Sequence, residues 1–447
     1  MSNKACCIYL DNNANVIPTE DTLKELIRWS IKGNPSGIYP SAEDSKHLMD
    51  MFKNEIATQY GFSLDGPRGF TIIFTSGASE SNSTILSITA RAFIRVKRIQ
   101  PHIITSVIEH DSILEWAKHA ECDGIGVDLL NVGTTSSNFC KVLPAELRNV
   151  IRPNTCLVSV MGANNETGAI NDIKTLASIC HAKKIPLHSD LVQLAPRTSL
   201  NITDIGLDSF SISFHKMGGP IGCGLLAIRN SFLNGYCLPP YIYGKQQGNM
   251  RGGTIPIANI AASRTAFNQY YKNRDIKDLY IYSLKTKLME LMNRNFYTMY
   301  LSEFVELYRP RGSGMPPDMM PMAITGNVSS AMNDSKIKDP TIVYIKSANE
   351  DTLNNTLMFA IYSNDICNVK IRKQLMDEGI IVSIGSACKT GSNIASHILD
   401  AIKLPKILYS GVLRISLGDK NDDNDVAAFV KSLKRILMSR TCLKSID

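Results

Sequence analysis

Short apolar runs alternate with longer helix-compatible stretches between about residues 70 and 229. Phe70-Thr71-Ile72-Ile73-Phe74, Ile103-Ile104-Thr105, Cys156-Leu157-Val158-Ser159-Val160, Ile185-Pro186-Leu187-His188, Ser209-Phe210-Ser211-Ile212-Ser213 and Gly224-Leu225-Leu226-Ala227-Ile228 read as buried strands. Residues 81–98 and 173–183 carry helical patterns between them. Such alternation predicts an α/β fold, a mostly parallel sheet with helices on both faces and a site beyond the carboxyl ends of its strands. Residues 261–296 read as mostly helical, with no proline. The stretch 298–351 is irregular, with Pro310, Pro316, Pro317, Pro321 and four methionines between Met315 and Met322, and reads as an inserted loop or subdomain. Strand-like and helical runs resume at Leu353 and end in a helix expected over 424–438.

Composition narrows the classes. The 447 residues are 44% hydrophobic and 20% charged, ordinary globular values that argue against disorder and for two to three domains. Lys plus Arg number 48 against 41 Asp plus Glu, but the basic residues are scattered. Nucleic acid is therefore not expected as a direct partner, whereas small anions suit the +7 balance. No apolar run reaches the roughly 18 residues of a membrane span. The stretch 230–244 is broken by Asn, Gly and a Pro-Pro pair, and 5–10 is too short for a secretory segment. Eleven cysteines without a CxxC spacing argue against a disulfide framework or a metal site. The expected location is cytoplasmic or another reducing compartment, with most cysteines serving as small buried hydrophobes.

Four segments carry candidate chemistry. In Ser211-Ile-Ser-Phe-His-Lys-Met-Gly-Gly-Pro220, Lys216 follows a buried strand and precedes a tight turn. Burial there would lower its pKa, as a Schiff-base lysine requires, although a surface lysine at a strand end has the same pattern. Thr75-Ser-Gly-Ala-Ser-Glu-Ser81 follows a strand and opens a helix, so its backbone N–H groups could close on a phosphate. The plainer alternative is a capped helix start, with Ser79 or Ser81 as N-cap. Asp190 in Leu187-His-Ser-Asp-Leu-Val-Gln193 could hold a pyridinium nitrogen protonated, with Gln193 one turn on. His110 in Thr105-Ser-Val-Ile-Glu-His-Asp-Ser112 follows another strand. Each alone suits a structural role, but together they are the parts of a pyridoxal 5'-phosphate site.

These segments, with further ones, resemble the cysteine desulfurases of the NifS/IscS family, in the class V aminotransferase group of fold-type I enzymes. The likeness includes Tyr9-Leu-Asp-Asn-Asn13, Asn34-Pro-Ser36, Val158-Ser-Val-Met-Gly-Ala-Asn-Asn-Glu-Thr-Gly168, Arg251-Gly-Gly-Thr254, Ser383-Ile-Gly-Ser-Ala-Cys388, Ser396-His-Ile-Leu399 and Arg414-Ile-Ser-Leu-Gly418. It implies a large cofactor domain over 18–262 with a seven-stranded type of sheet. A smaller α+β domain would combine 1–17 with 263–447, the insertion at 298–351 lying within it.

The resemblance also implies roles. Lys216 would carry pyridoxal 5'-phosphate, His110 would stack on its ring and move protons, and Asp190 would pair with the ring nitrogen. Gln193 and Asn165 would lie near the phenolic oxygen, while Ala78, Ser79, Ser213 and His215 would hold the phosphate. Thr254 would reach that phosphate from the other subunit of a homodimer, and Asn13, Asn165 and Arg414 would bind substrate. Cys388 would take the sulfur of L-cysteine as a persulfide, leaving L-alanine, and pass it to an acceptor such as an iron–sulfur scaffold or a tRNA-thiolation protein. Its loop is rich in Gly and Ser, and Lys389 beside it favours the thiolate.

The chain departs from the family pattern after Asn13, where Ala14-Asn15-Val16-Ile17-Pro18 lacks two threonines, and at Tyr39, which replaces a histidine. Such changes suit a divergent member, for example a viral NifS-like protein. Two other classes stay open on sequence alone. One is another reaction of the same cofactor, transamination or selenocysteine lysis. The other is a non-catalytic scaffold of the same fold.

Overall fold

The structure, a computed structural model, describes residues 7–135, 138–308, 338–346, 352–363, 366–384 and 396–439. Cys388 and its loop lie outside the described residues. The first described element is a two-residue strand, β1 (Ile8–Tyr9), and a central sheet is built from β2 (Phe70–Thr75), β3 (His102–Ser106), β4 (Gly126–Leu130), β5 (Thr155–Ser159), β6 (Leu187–Asp190), β7 (Ser209–Ser213) and β8 (Gly224–Arg229). The strand order is β2-β8-β7-β6-β5-β3-β4, and only β8 runs antiparallel to its neighbours. The carboxyl ends of β2, β3, β5, β6 and β7 therefore share one edge. Apolar side chains fill both faces: Phe52, Phe74, Phe210 and Phe214 lie in one core cluster, and Ile73, Ile103, Leu157 and Leu226 in another.

Differences from the sequence pattern have local causes. The run expected over 185–188 pairs only from Leu187, because Pro186 has no N–H for a ladder; its carbonyl accepts from Val158 N instead. Strand β4 gave no strong signal because it is a partly exposed edge strand containing Asp128. The stretch 261–296 holds parts of two helices, Ile257–Tyr271 and Arg274–Asn295, parted at Asn273, whose φ of 60° ends helical geometry.

A second sheet has the order β13-β11-β10-β9, from β9 (Tyr297–Tyr300), β10 (Thr341–Tyr344), β11 (Thr356–Tyr362) and β13 (Val412–Ser416). Strand β12 (Ile380–Ile381) pairs in parallel with β1. The stretch 298–351 is thus not insertion throughout: β9, the helix Leu301–Tyr308 and β10 belong to this sheet or pack beside it. Its proline-rich part, 309–337, lies outside the described residues. Helices Arg274–Asn295 and Asp423–Met438 bury Leu284, Leu288, Phe429 and Leu433 in the core of the second sheet. The latter helix starts with a capping box, Asp422 accepting from Asp425 N while Asp425 accepts from Asp422 N. Asp11 to Asn13 run along the end of β13, with Asn12 N donating to Ser416 O at 3.2 Å and Asn13 N to Ser416 Oγ at 2.9 Å. The chain start therefore lies between the two sheets. Four of the eight described cysteines are buried and Cys7, Cys122 and Cys237 are exposed, so the expected burial of most cysteines holds for only half of these.

Candidate active site

The edge shared by the strand ends gathers the chemistry. Just beyond β2, Gly77 has φ 156° and precedes the helix Ala78–Lys97. Gly77, not Ser79 or Ser81, occupies the N-cap. Ser81 lies inside the helix with its hydroxyl at 2.8 Å from Thr75 Oγ1, and Ser79 is exposed. No side chain caps this end, so the N–H groups of its first turn remain for a ligand. A Cβ on Gly77 would come within 3.7 Å of Ser213 Oγ, and Ser213 Oγ is 2.9 Å from His215 Nδ1. Helix end, hydroxyl and imidazole thus lie side by side. Burial, the Lys216 charge and His110 push His215 down to about 4, so it is neutral at pH 7.

Lys216 lies in a 3₁₀ turn, Phe214–Met217, directly after β7. Its Nζ donates to Asn13 O and Ala14 O, both at 2.7 Å. At the end of β6, Asp190 is 5% exposed; Asn82 Nδ2 donates to its Oδ2 at 2.8 Å and Val192 N to its Oδ1 at 2.9 Å. Gln193 Nε2 donates to Asn13 O at 3.1 Å, and its Oε1 is buried without a partner. His110 caps the helix Asp111–Ala120, its Nδ1 accepting from Ser112 N at 3.1 Å, and it lines an open depression of about 600 Å³ with Ser79.

Asn165, after β5, accepts at its carbonyl from Asn13 Nδ2 at 3.1 Å and from Arg414 Nη1 at 2.9 Å. Arg414 also pairs with Asp11 Oδ1 at 2.5 Å, and its buried Nε has no partner. The Asn13 side chain, by contrast, is occupied. Its Nδ2 also donates to Thr356 Oγ1, and its Oδ1 accepts from Asn355 Nδ2, each at 2.8 Å. Both N–H groups of the Asn13 amide are thus engaged in this structure, tying the chain start to Asn165 and to Thr356. Thr254 is exposed, on a loop tied to the helix Ala78–Lys97 by the Arg251–Glu80 ion pair at 2.9 Å.

Glu109 was visible only as the neighbour of His110. Its Oε1 accepts from Ser106 Oγ at 2.6 Å and from Met161 N at 2.9 Å, while its Oε2 is buried and unpartnered. Burial, with a further push from Asp190, raises its pKa to about 8. The folded chain then keeps a proton that the unfolded chain releases above the ordinary value of 4.5. This contribution lowers stability as pH rises from 4.5 to 8. Glu109→Gln should flatten that part of the melting-temperature profile. Unchanged slopes across pH 5 to 8 would show that Glu109 ionises normally.

The departure after Asn13 leaves the backbone contacts intact. Val16 N donates to His215 O at 3.0 Å, and Tyr9 Oη donates to Asn15 O at 3.0 Å. The missing threonines therefore do not detach the chain start from the lysine turn.

The family described as Aminotransferase class-V matches residues 8–310. The chain is 28% identical to cysteine desulfurase IscS of Methanosarcina thermophila over 97% of its own length and 92% of that protein. It is 31% identical to cysteine desulfurase IscS of Rickettsia bellii over 68% of its length and 71% of that protein. A solved NifS-like protein superposes with a TM-score of 0.76 at 25% identity, covering 97% of this chain and all of that one. Among the described residues, no helix is long and apolar enough to cross a membrane, and no group of His, Cys, Asp and Glu could hold a metal ion.

Proposed function

The chain belongs to the class V aminotransferase family, with cysteine desulfurases of the NifS/IscS type as its relatives over nearly its whole length, and we propose from its site how it turns L-cysteine into L-alanine. Enzymes of this family use pyridoxal 5'-phosphate. The residues here fit that group: an uncapped helix end faces Ser213 and neutral His215, and a buried carboxylate lies at Asp190. Bound there, the cofactor would supply an electron sink for the substrate's Cα.

The chain's own residues would do the rest. Ala78, Ser79, Ser213 and His215 would hold the phosphate, with Thr254 completing the partner's site in a homodimer. Asp190 would keep the ring nitrogen protonated, fixed for this by Asn82 and Val192 N. Gln193 and Asn165 would border the phenolic oxygen, and His110 would pack on the ring. Arg414, with its Nε still unpaired, would take the substrate carboxylate. Lys216 would provide the attachment amine and, once released, carry a proton from Cα, with His110 assisting.

Cys388 would then attack the substrate sulfur as a thiolate. An S–S bond forms and the C–S bond breaks, its electron pair staying with the three-carbon skeleton that leaves as alanine after protonation. The observation that carries this reading is the convergence of Lys216, Asp190, His215 and the helix end at one sheet edge. Expected products from L-cysteine are alanine and transferable sulfur, formed by a dimer in sedimentation. A keto acid product would instead indicate transamination, and a fully active monomer would exclude a shared site.

A further inference from the structure

Asn13 has bonds to both sides, and three of its six partners, Ser416, Asn355 and Thr356, come from the second sheet or the residue leading into it. Its backbone N–H donates to Ser416 Oγ at 2.9 Å, at the end of β13. Its Oδ1 accepts from Asn355 Nδ2 at 2.8 Å, and its Nδ2 donates to Thr356 Oγ1 at 2.8 Å, at the start of β11. Asn13, Asn355 and Thr356 are 2%, 4% and 1% exposed, so water cannot replace a lost partner without rearrangement. The Asn13 carbonyl meanwhile accepts from Lys216 Nζ at 2.7 Å and from Gln193 Nε2 at 3.1 Å. One residue thus links the second sheet to two side chains at the edge of the first.

We propose that Thr356 and Asn355 are positioning residues for Lys216, acting through Asn13. Neither touches the lysine. They fix the Asn13 side chain and thereby the direction of its carbonyl, which sets where the Lys216 amine rests when it is not attached to cofactor. A charge-assisted bond to a carbonyl is directional, so a rotated Asn13 loosens the amine. The same contact couples the placement of the second sheet to the lysine. Thr356 also has a packing role, since a Cβ on Gly168 would stand 3.1 Å from Thr356 Cβ. Hydroxyl and methyl can be separated by substitution: Thr356→Val keeps the methyl and removes the acceptor, and Thr356→Ser does the reverse.

This inference rests on Lys216 being the cofactor lysine, a premise tested separately by borohydride reduction of the unmutated holoprotein and peptide mapping. The decisive comparison uses the full chain stripped of cofactor and treated briefly with N-hydroxysuccinimidyl acetate, acetylation at Lys216 being read by mass spectrometry. Thr356→Val should raise Lys216 labelling about fivefold, the factor carried by one neutral hydrogen bond. Labelling of exposed Lys24 should not change, and Thr356→Ser should behave as wild type. In the holoenzyme, Thr356→Val should lower kcat with little change in KM. Equal Lys216 labelling in all three proteins would overturn the proposal. So would a Thr356→Ser effect as large as that of Thr356→Val, because packing on Gly168 would then be the cause. A borohydride adduct on another lysine would instead remove the premise.

Discussion

Lys216→Ala is expected to lower desulfurase turnover by at least about four orders of magnitude, since this residue serves both as attachment amine and as base, and loss of a base alone costs about 10²–10⁴. The variant should also lose the visible absorption and the borohydride-fixed adduct of the wild type. Folding should survive, because Lys216 is only partly buried and the strand before it, β7, is held by β6 and β8. A cooperative melt at somewhat lower temperature, from loss of the two Lys216 bonds to Asn13 and Ala14, with the activity gone is therefore the expected pairing. A variant that still gave a reducible adduct at wild-type yield would show that another lysine carries the cofactor.

Replacing Cys388 by alanine should have the second largest effect and a different signature. Cofactor absorption should be that of the wild type, because the groups arranged around Lys216, Asp190 and His215 are untouched. Alanine formation should fall by about three orders of magnitude or more, since the nucleophile is removed and no base or electrostatic group can replace it. The buried cysteines are poor substitutes. Burial pushes the thiols of Cys156, Cys180 and Cys223 up to about 12, where the thiolate is negligible at neutral pH. Wild-type alanine production by this variant would place the sulfur chemistry elsewhere.

Much of this arrangement was legible before the structure, and the reason is local. Lys216, Asp190, His110 and the 75–81 segment each follow an apolar strand within a few residues, so strand patterning alone brings them to one edge. Contacts made across long separations were not legible. Asn13 to Thr356 and Arg414 to Asp11 join residues 343 and 403 positions apart, and no periodicity encodes such pairs. Resemblance gives Asn13 a place against the substrate but says nothing of the bonds by which its amide joins Asn165 to Asn355 and Thr356. Glu109 escaped notice for a different reason. A carboxyl beside a histidine looks like surface chemistry, and only its burial and its bonds to Ser106 and Met161 reveal a carboxyl that holds its proton at neutral pH. Edge strand β4 and the strands inside 298–351 were obscured by polar and proline-rich surroundings, where short paired segments leave little hydrophobic signal.

Transfer of sulfur from L-cysteine to Cys388 is open to a direct measurement. The holoprotein is mixed with one equivalent of L-cysteine, quenched, and divided for alanine analysis and for mass mapping of the peptide containing Cys388. The expected result is a gain of about 32 Da, one sulfur atom, on that peptide, rising in step with alanine. Alanine formed while the added sulfur sits on another cysteine, or cofactor bound with neither alanine nor persulfide formed, would contradict it.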